Sequence, residues 1–196
     1  MDPSPDFDDA VLGRGLPALA QAALSEAGAC RGDEVRAMAA LMRARRLAPD
    51  HPAVLIALYR HHFYGHRWSI ARDVARQAIH AGARALGLPT VWRSWVPRPL
   101  PDTATDPGVR FYLFALKGYA YLSLRLDDPI EAADTLALLR QLDPHDHVGA
   151  SVLEVVRRRA GAADADDEDT DDASPGAAPG PRGWPAATRL PGAVHG

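Results

Sequence analysis

Apolar residues recur at helical spacing through the middle of the chain. The segment LPALAQAALSEAG places leucines and alanines three and four residues apart, and Gly28 and Gly32 end it. The next segment, DEVRAMAALMRARRLAPD, begins at Asp33, whose side chain can cap a helix, and Pro49 follows its last turn. PAVLIALYRHHFYGHRW and SIARDVARQAIHAGARALG continue the pattern until Gly87. The pattern predicts an all-α protein whose helices pair as antiparallel hairpins.

The first two hairpins align when one is shifted by 34 residues along the chain. The matched pairs are Leu24 with Leu58, Ala37 with Ala71, and Ala44 with Ala78. Small residues in the second helix of each hairpin let it pack closely on the first. Neither helix can bury its apolar face alone, so hairpins of this kind stack on one another. A 34-residue period in helical hairpins is typical of tetratricopeptide repeats.

A third segment, FYLFALKGYAYLSLRLDDPIEAADTLALLRQLDP, resembles the tetratricopeptide repeat at several positions. The matching residues are Phe114, Gly118 and Tyr121 in the first helix, Ala132 and Leu136 in the second, and the closing Pro144. Lys117 and Leu139 depart from the pattern, and the turn between the helices is long. The resemblance implies a stacked α-solenoid with hairpins at about 16–49, 52–87 and 111–144 within a domain of residues 14–160. A generic alanine-rich helical bundle is the alternative.

Two further segments complete this domain. After Pro144, residues 146–160 place valines on one face and three arginines at the end, which predicts the capping helix that a solenoid needs. Residues 88–110 are rich in proline and predict a loop. Trp92 and Trp95 in this loop either pack onto the solenoid or wait for a partner, since exposed tryptophans are costly.

Charge divides the chain into three parts. Residues 1–13 form an acidic arm, and residues 161–196 combine an acidic run with a segment rich in proline and glycine. Neither end can bury enough apolar surface to offset its ordering entropy, so we expect the tail to be disordered. Residues 10–160 carry 20 bases and 14 acids, so this part is basic by six charges. The acidic run 164–172 either solubilises the chain or competes for this basic surface.

Few residues suggest catalysis. The chain has no phosphate-binding loop, no nucleophile elbow and a single cysteine, Cys30, which fits a structural thiol. The acidic start lacks a secretory signal, and no apolar stretch is long enough to span a membrane, so we expect a cytoplasmic protein that does not bind membranes. We expect neither enzyme activity nor a cofactor.

The histidine-rich string RHHFYGHRW raises the question of a metal. His62 and His66 would share one face of a continuous helix, and His61 is adjacent. Gly65 predicts a turn between them, which would break this geometry. We therefore predict no metal site, and retain a metal-binding helical protein as an alternative.

The resemblance to tetratricopeptide repeats implies that first helices line a groove that receives a segment or helix of another protein. The implied groove residues are Arg60, Phe63 and Tyr64 in the second unit and Tyr112, Tyr119 and Ser123 in the third. Arginine and tyrosine are common in binding hot spots. The alternative is that Phe63 and Tyr119 pack between helices. The chain has no asparagine, which argues against the specificity of repeats that clamp a C-terminal carboxylate.

The function predicted in this way is a non-catalytic scaffold or adaptor that binds a protein partner. The alternative partner is nucleic acid, because Arg43, Arg45, Arg46 and Arg157–Arg159 cluster, but the excess charge is modest and no nucleic-acid motif is present. The strings HHFYGHRW and FYLFALKGYAYLSLRL are similar to small tetratricopeptide-like proteins encoded near bacterial nitrogen-fixation genes. That similarity implies an accessory role in nitrogen fixation.

Overall fold

The computed structural model describes residues 15–30, 32–91, 98–100 and 106–166, and within these ranges the chain forms seven helices and no strand. The helices are α1 (Ala18–Ala29), α2 (Glu34–Leu47), α3 (Pro52–Tyr64), α4 (Trp68–Ala85), α5 (Pro107–Arg125), α6 (Pro129–Leu142) and α7 (Ser151–Asp166). The predicted all-α class is thereby confirmed. No helix of the described part is long and apolar enough to cross a membrane.

Aspartates and prolines set where several helices begin. Asp33 accepts a hydrogen bond of 3.1 Å from the Arg36 amide, as the sequence predicts, and Asp106 accepts one of 2.7 Å from the Gly108 amide. Proline stands in the first turn of α3, α5 and α6, where its missing N–H costs no helical hydrogen bond. Because Asp106 and Pro107 together start α5, the third hairpin begins earlier than the predicted residue 111.

Small side chains hold the helices close together. The alanines that the repeat pattern places in second helices, Ala37, Ala44, Ala71 and Ala78, are all buried. Gly82 of α4 lies directly against α5, where an added Cβ would come within 3.2 Å of the Tyr112 side chain. These contacts pack the antiparallel pairs α1–α2, α3–α4 and α5–α6, and pack α4 on α5.

Helices α2 and α4 run parallel, with polar contacts between corresponding positions. Three side-chain contacts ascend along both helices together: Glu34 with Arg67, Arg45 with Gln77, and Asp50 with Arg84. The partners are separated by 33, 32 and 34 residues in sequence. A nearly constant separation in sequence is expected when two neighbouring helices are parallel and corresponding residues lie side by side.

Helices α3 and α5 also run parallel. Leu55 and Phe111 line the same apolar cleft, Tyr59 lies against Gly118 further along both helices, and the rings of Phe63 and Tyr121 meet after that. Helix α4 runs antiparallel to α5, because its first turn reaches Asp128 through Arg72 at 3.0 Å, while Gly82 near its end meets Tyr112. The side chains of α3, α4 and α5 therefore form one continuous core.

Helix α7 differs from its predicted bounds at both ends. It begins at Ser151 rather than 146, because the Asp146 side chain accepts hydrogen bonds from the Ala150 and Ser151 amides and holds the preceding residues in a turn. It extends to Asp166, so residues 161–166 are helical and do not belong to the predicted disordered tail. The arm 1–13 and the remainder of the tail lie outside the described residues.

Candidate partner-binding face

The end of α3 presents the three side chains that the sequence predicts for the second unit. Arg60, Phe63 and Tyr64 lie three and four residues apart, so they share one face of the helix. Arg60 and Phe63 are half-buried, whereas Tyr64 is 60% exposed. The predicted residues of α3 are thus brought together on an accessible surface.

Aromatic rings extend this surface onto α4 and α5. The Phe63 ring centroid lies 5.3 Å from that of Trp68 and 5.7 Å from that of Tyr121. Tyr64 meets the same phenylalanine edge-on at 5.5 Å. The Arg125 guanidinium stacks over the Trp68 ring at 5.3 Å, a cation–π distance. We call Arg60, Phe63, Tyr64, Trp68, Tyr121 and Arg125 the aromatic–arginine face.

The helices that carry most of this face contain no acidic residue. Neither α3 nor α5 has an aspartate or glutamate, while together they carry Arg60, Arg110, Lys117 and Arg125. None of these three arginines makes an ion pair within the part of the chain that the structure describes. The arginines that do so lie elsewhere: Arg43 with Glu26, Arg67 with Glu34, Arg72 with Asp128, Arg76 with Asp73, Arg84 with Asp50, and Arg140 and Arg157 with Glu154.

The predicted groove residues of the third unit lie on a different side of α5 from Tyr121 and Arg125, so the structure does not bring them together with those of the second unit. Tyr112 and Ser123 are fully buried, and burial raises the pKa of the Tyr112 hydroxyl to about 12. The half-buried Tyr119 donates a hydrogen bond of 3.1 Å to Glu131 of α6, and burial followed by this carboxylate raises the pKa of its hydroxyl. Tyr112 and Tyr119 therefore contact α4 and α6 respectively, and do not face the end of α3.

The histidines of the α3–α4 turn serve the fold. His62 is buried and accepts a hydrogen bond of 3.1 Å from Arg67 Nε, so it is neutral; burial and then the Arg67 charge lower its pKa to about 4. The helix ends at Gly65, as predicted, and His66 lies in the turn with a φ of 57°. His62 and His66 consequently do not share a helical face. Among the described residues, no group of three histidine, cysteine or acidic side chains could hold a metal ion.

Half of the arginines in the clusters that suggested nucleic-acid binding make contacts within the protein. Arg43 pairs with Glu26, Arg45 donates a hydrogen bond of 2.8 Å to Gln77, and Arg157 pairs with Glu154. Of these clusters, Arg46, Arg158 and Arg159 remain exposed without a carboxylate partner among the described residues.

Trp92 and Trp95, the predicted contact residues of the loop, lie outside the described residues. Cys30 is half-buried just after the end of α1. Lys117, which departs from the repeat pattern, donates a hydrogen bond of 2.6 Å from Nζ to the Val148 carbonyl, so it ties α5 to the segment before α7. Burial lowers the pKa of this ammonium group.

The chain is similar to a protein of Azotobacter chroococcum mcd 1 named "Uncharacterized 19.8 kDa protein in nifW 5'region". The two are 36% identical over 151 residues, which cover 76% of this chain and 84% of the relative. The chain belongs to the same family as this Azotobacter protein. No protein-family model and no solved structure matches the chain.

The relative bears on one of the predicted resemblances. Its name places it in the 5′ region of nifW, so the predicted similarity to proteins encoded near nitrogen-fixation genes is confirmed to that extent. Membership of the tetratricopeptide family is not shown by it and stays a prediction.

Sequence reasoning missed half of the face. Trp68, Tyr121 and Arg125 were not predicted as contact residues, although Tyr121 was assigned to the repeat pattern. A signal for two of them is in the sequence: α3 and α5 are free of acids, and Tyr121 and Arg125 are one turn apart at the end of α5. That signal becomes useful only once the two helices are known to be parallel neighbours. Nothing comparable marks Trp68, at the start of α4.

Proposed function

We propose that the protein is a non-catalytic adaptor, built from stacked hairpins like those of tetratricopeptide proteins, that binds a segment of a partner protein on its aromatic–arginine face. We further propose that it acts as an accessory factor in nitrogen fixation. The observation that carries the binding role is the row of aromatic rings from α3, α4 and α5, flanked by Arg60 and Arg125, which have no carboxylate partner among the described residues. Tryptophan, tyrosine and arginine are the residues most enriched in binding hot spots.

The stacking proposal is supported by the polar contacts between α2 and α4. Their sequence separations of 33, 32 and 34 residues fit a helical repeat of 34 residues. In such an array, first helices lie beside first helices and second helices beside second helices. Here α3 and α5 are neighbouring first helices, so a surface shared by both is where a bound segment would lie.

The pathway proposal is supported by the Azotobacter relative, whose name places it in the 5′ region of nifW. A binding protein encoded beside nitrogen-fixation genes would act through another product of those genes. An adaptor also agrees with the face itself, since its side chains pack against one another and none is arranged as a nucleophile with a base.

Affinity capture from the native host, grown with and without fixed nitrogen, tests both parts. Tagged wild-type chain is compared with Arg60→Ala/Tyr64→Ala. The matched control is Val35→Ala/Arg36→Ala, which removes an exposed apolar side chain and an exposed arginine from α2. We expect a protein captured by the wild type and the control, lost with the face variant, and enriched without fixed nitrogen.

Two results would contradict the proposal. Equal capture by both variants would remove the face from binding. A partner captured equally under both growth conditions, with no nitrogen-fixation protein among the captured set, would remove the pathway assignment.

A further inference from the structure

We propose that the aromatic–arginine face selects an acidic segment of its partner, in which two carboxylates about three residues apart flank an aromatic or long aliphatic side chain. This inference rests on the protein-binding role proposed above and specifies the chemistry of the bound segment. It follows from the charge of the two helices, the stacking of Arg125, and the spacing of the two arginines.

The two helices α3 and α5 contain no acidic residue. Elsewhere in the described residues, each of the helices α2, α4, α6 and α7 has at least one arginine that contacts a carboxylate of the same chain. Exposed arginines without such a partner among these residues also occur in α2 and α7, but no aromatic rings are described beside them. Arg60 and Arg125 have no such partner within those residues, and α3 and α5 supply none, since they contain no acid. An acidic segment would therefore meet positive charge on this face without displacing an internal ion pair or facing like charge from either helix.

The stacking of Arg125 makes it ready to bind a carboxylate. Its guanidinium lies over the Trp68 ring at 5.3 Å, and Trp68 is in turn held edge-on by Phe63 at 5.3 Å. A guanidinium held over an aromatic ring can still donate its N–H groups to the two oxygens of a carboxylate, because the cation–π contact does not use them. Because the stack limits the side-chain freedom of Arg125, less conformational entropy is lost when a carboxylate binds.

The spacing of the two arginines sets the spacing of the acids. Since α3 and α5 are parallel, the Phe63–Tyr121 contact fixes their relative level. Arg60 is one turn before Phe63, and Arg125 is one turn after Tyr121, so the two lie about 10 Å apart along the helices at 1.5 Å per residue. A segment in the polyproline II conformation rises about 3.1 Å per residue and has three residues per turn, so carboxylates about three residues apart lie on the same side and about 9 Å apart.

The rings between the arginines receive the apolar side chain. Phe63 and Tyr121 are half-buried and Tyr64 is 60% exposed, so ring surface remains accessible between the two cations. Single-stranded nucleic acid, the other polyanion that binds aromatic and basic surfaces, needs flat ring faces on which bases stack. Here Trp68 is already stacked by Arg125, and Phe63 packs against Tyr64 and Trp68 at interplanar angles of 88° and 76°. The geometry favours a peptide.

Fluorescence anisotropy with the full chain tests the inference. The probe is a fluorescein-labelled peptide with two glutamates three positions apart and a tryptophan between them. Comparison probes replace both glutamates with glutamine, replace the tryptophan with alanine, or substitute a single-stranded RNA of equal charge. The face variant is Arg60→Gln/Arg125→Gln, and the matched control is Arg36→Gln/Arg46→Gln, which alters two exposed α2 arginines without ion pairs in the described residues.

We expect the acidic probe to bind the wild type, and to bind the face variant about tenfold more weakly, because two charge-assisted contacts are lost. The control variant should bind within about twofold of wild type, since general electrostatic attraction is weak in salt. The glutamine probe and the alanine probe should each bind more weakly than the acidic probe. The measurement is repeated on a full-length chain whose acids at 167–172 are changed to serine and asparagine, so that the chain's own acidic run cannot mask binding.

The inference is overturned if the acidic probe binds neither form of the chain, if the glutamine probe or the RNA binds as tightly, or if both arginine variants weaken binding equally. The capture experiment distinguishes failure of this inference from failure of the proposed binding function. If affinity capture loses a partner with Tyr64→Ala but retains it with Arg60→Gln/Arg125→Gln, the face binds a protein without selecting acids. If neither variant loses a partner, the binding role itself fails.

Discussion

Two parallel pairs of helices in this protein differ in the contacts that join them. In the pair α2–α4, contacts tie Arg45 to Gln77 across the helices, and Arg67 and Arg84 at the ends of α4 reach Glu34 and Asp50. In the pair α3–α5, the cations Arg60 and Arg125 have no carboxylate among the described residues, and aromatic rings lie between them. Arginines of the first pair therefore link its two helices, although Arg36 and Arg46 of α2 have no carboxylate partner among the described residues. The described residues supply no carboxylate to the cations of the second pair.

This difference indicates that the side chains that stabilise the fold and those that bind a partner lie on different helix pairs. Side chains that link α2 with α4 connect successive hairpins, so we expect their loss to reduce the free energy of unfolding. Side chains on the outer surface of α3 and α5 connect few elements, and their loss should leave stability nearly unchanged. Four predictions test this separation of stability from binding. The first concerns the contact of α4 with α5, which joins the pair α2–α4 to the pair α3–α5.

The largest effect is expected at Gly82, where α4 meets α5. A Cβ at this position would come within 3.2 Å of the Tyr112 Cβ and Cδ2 atoms, which lie near the backbone and cannot move away freely. Gly82→Val should therefore lower the free energy of unfolding by about 2 kcal/mol through overpacking. Urea denaturation followed by circular dichroism measures the change.

Gly28→Ala is the matched control, because an added Cβ at Gly28 meets nothing within 4 Å. It should leave stability equal to wild type or raise it by up to about 1 kcal/mol, since alanine favours helix more than glycine does. A Gly82→Val protein as stable as wild type would contradict the close approach of α4 and α5.

The next effect is expected at Arg67, which joins the α3–α4 turn to α2. Its guanidinium donates to His62 Nδ1 and the His61 carbonyl and pairs with Glu34. Arg67→Met keeps most of the apolar stem of the side chain but leaves the buried His62 nitrogen without its donor. We expect a loss of about 1–2 kcal/mol in the free energy of unfolding.

Arg76 provides the comparison for this measurement. Its ion pair with Asp73 joins two exposed side chains on the same helix, and pairs of that kind contribute little. Arg76→Met should therefore stay within about 0.5 kcal/mol of wild type. Equal losses from the two methionine variants would mean that Arg67 does not connect the hairpins as described.

A smaller effect concerns pH. Burial, followed by the Arg67 charge, holds the pKa of His62 at about 4, below the ordinary value of 6.5. Between these values the unfolded chain binds the proton and the folded chain does not, so stability contributed by neutral His62 is complete above pH 6.5 and is lost as pH falls towards 4. His62→Gln should reduce this loss, measured as the difference in unfolding free energy between pH 7 and pH 4.5. Identical pH profiles for the variant and the wild type would exclude His62 as a contributor.

The smallest effect on stability is expected on the aromatic–arginine face. Arg60→Ala/Arg125→Ala removes two cations that make no ion pair within the described residues. The free energy of unfolding should change by less than about 0.5 kcal/mol, apart from the modest cation–π contact with Trp68. A loss comparable to that of Arg67→Met would show that these arginines serve the fold and would weaken their assignment to binding.

The hairpins could be predicted from the sequence because residues that begin and end helices stand at clear positions. Asp33 caps α2, Gly65 ends α3, and buried alanines recur after 34 residues. The outward-facing side of α5, where groove residues would lie, could not be predicted in the same way. Residues 111–116 of this helix read FYLFAL, so apolar side chains surround it and periodicity does not indicate which side faces outward. In α3 the polar Arg60 and the following aromatics define one face, and there the prediction placed all three side chains on an accessible surface.

The start of α7 was missed for a different reason. Asp143 and Asp146 hold residues 143–150 in turns, and Asp146 caps the helix through its side chain. Aspartate is common both in turns and at the first position before a helix, so the sequence does not show which of the two roles it has here. The first residue of α7 is fixed instead by tertiary contacts around Asp143, a buried carboxylate. Burial raises the pKa of that carboxyl, but hydrogen bonds from the Val148 amide and His147 outweigh it and hold the pKa below its usual value.

Photo-cross-linking in the native host tests the central claim most directly. A benzophenone amino acid replaces Tyr64, which is 60% exposed on the face, or Val35, which is 79% exposed on α2. The account predicts that irradiation links position 64 to one partner protein, through an acidic segment with an aromatic or aliphatic residue, and that position 35 does not capture it. Cross-linking of the same proteins from both positions, or of none from position 64, would contradict the assignment of binding to the α3–α5 surface.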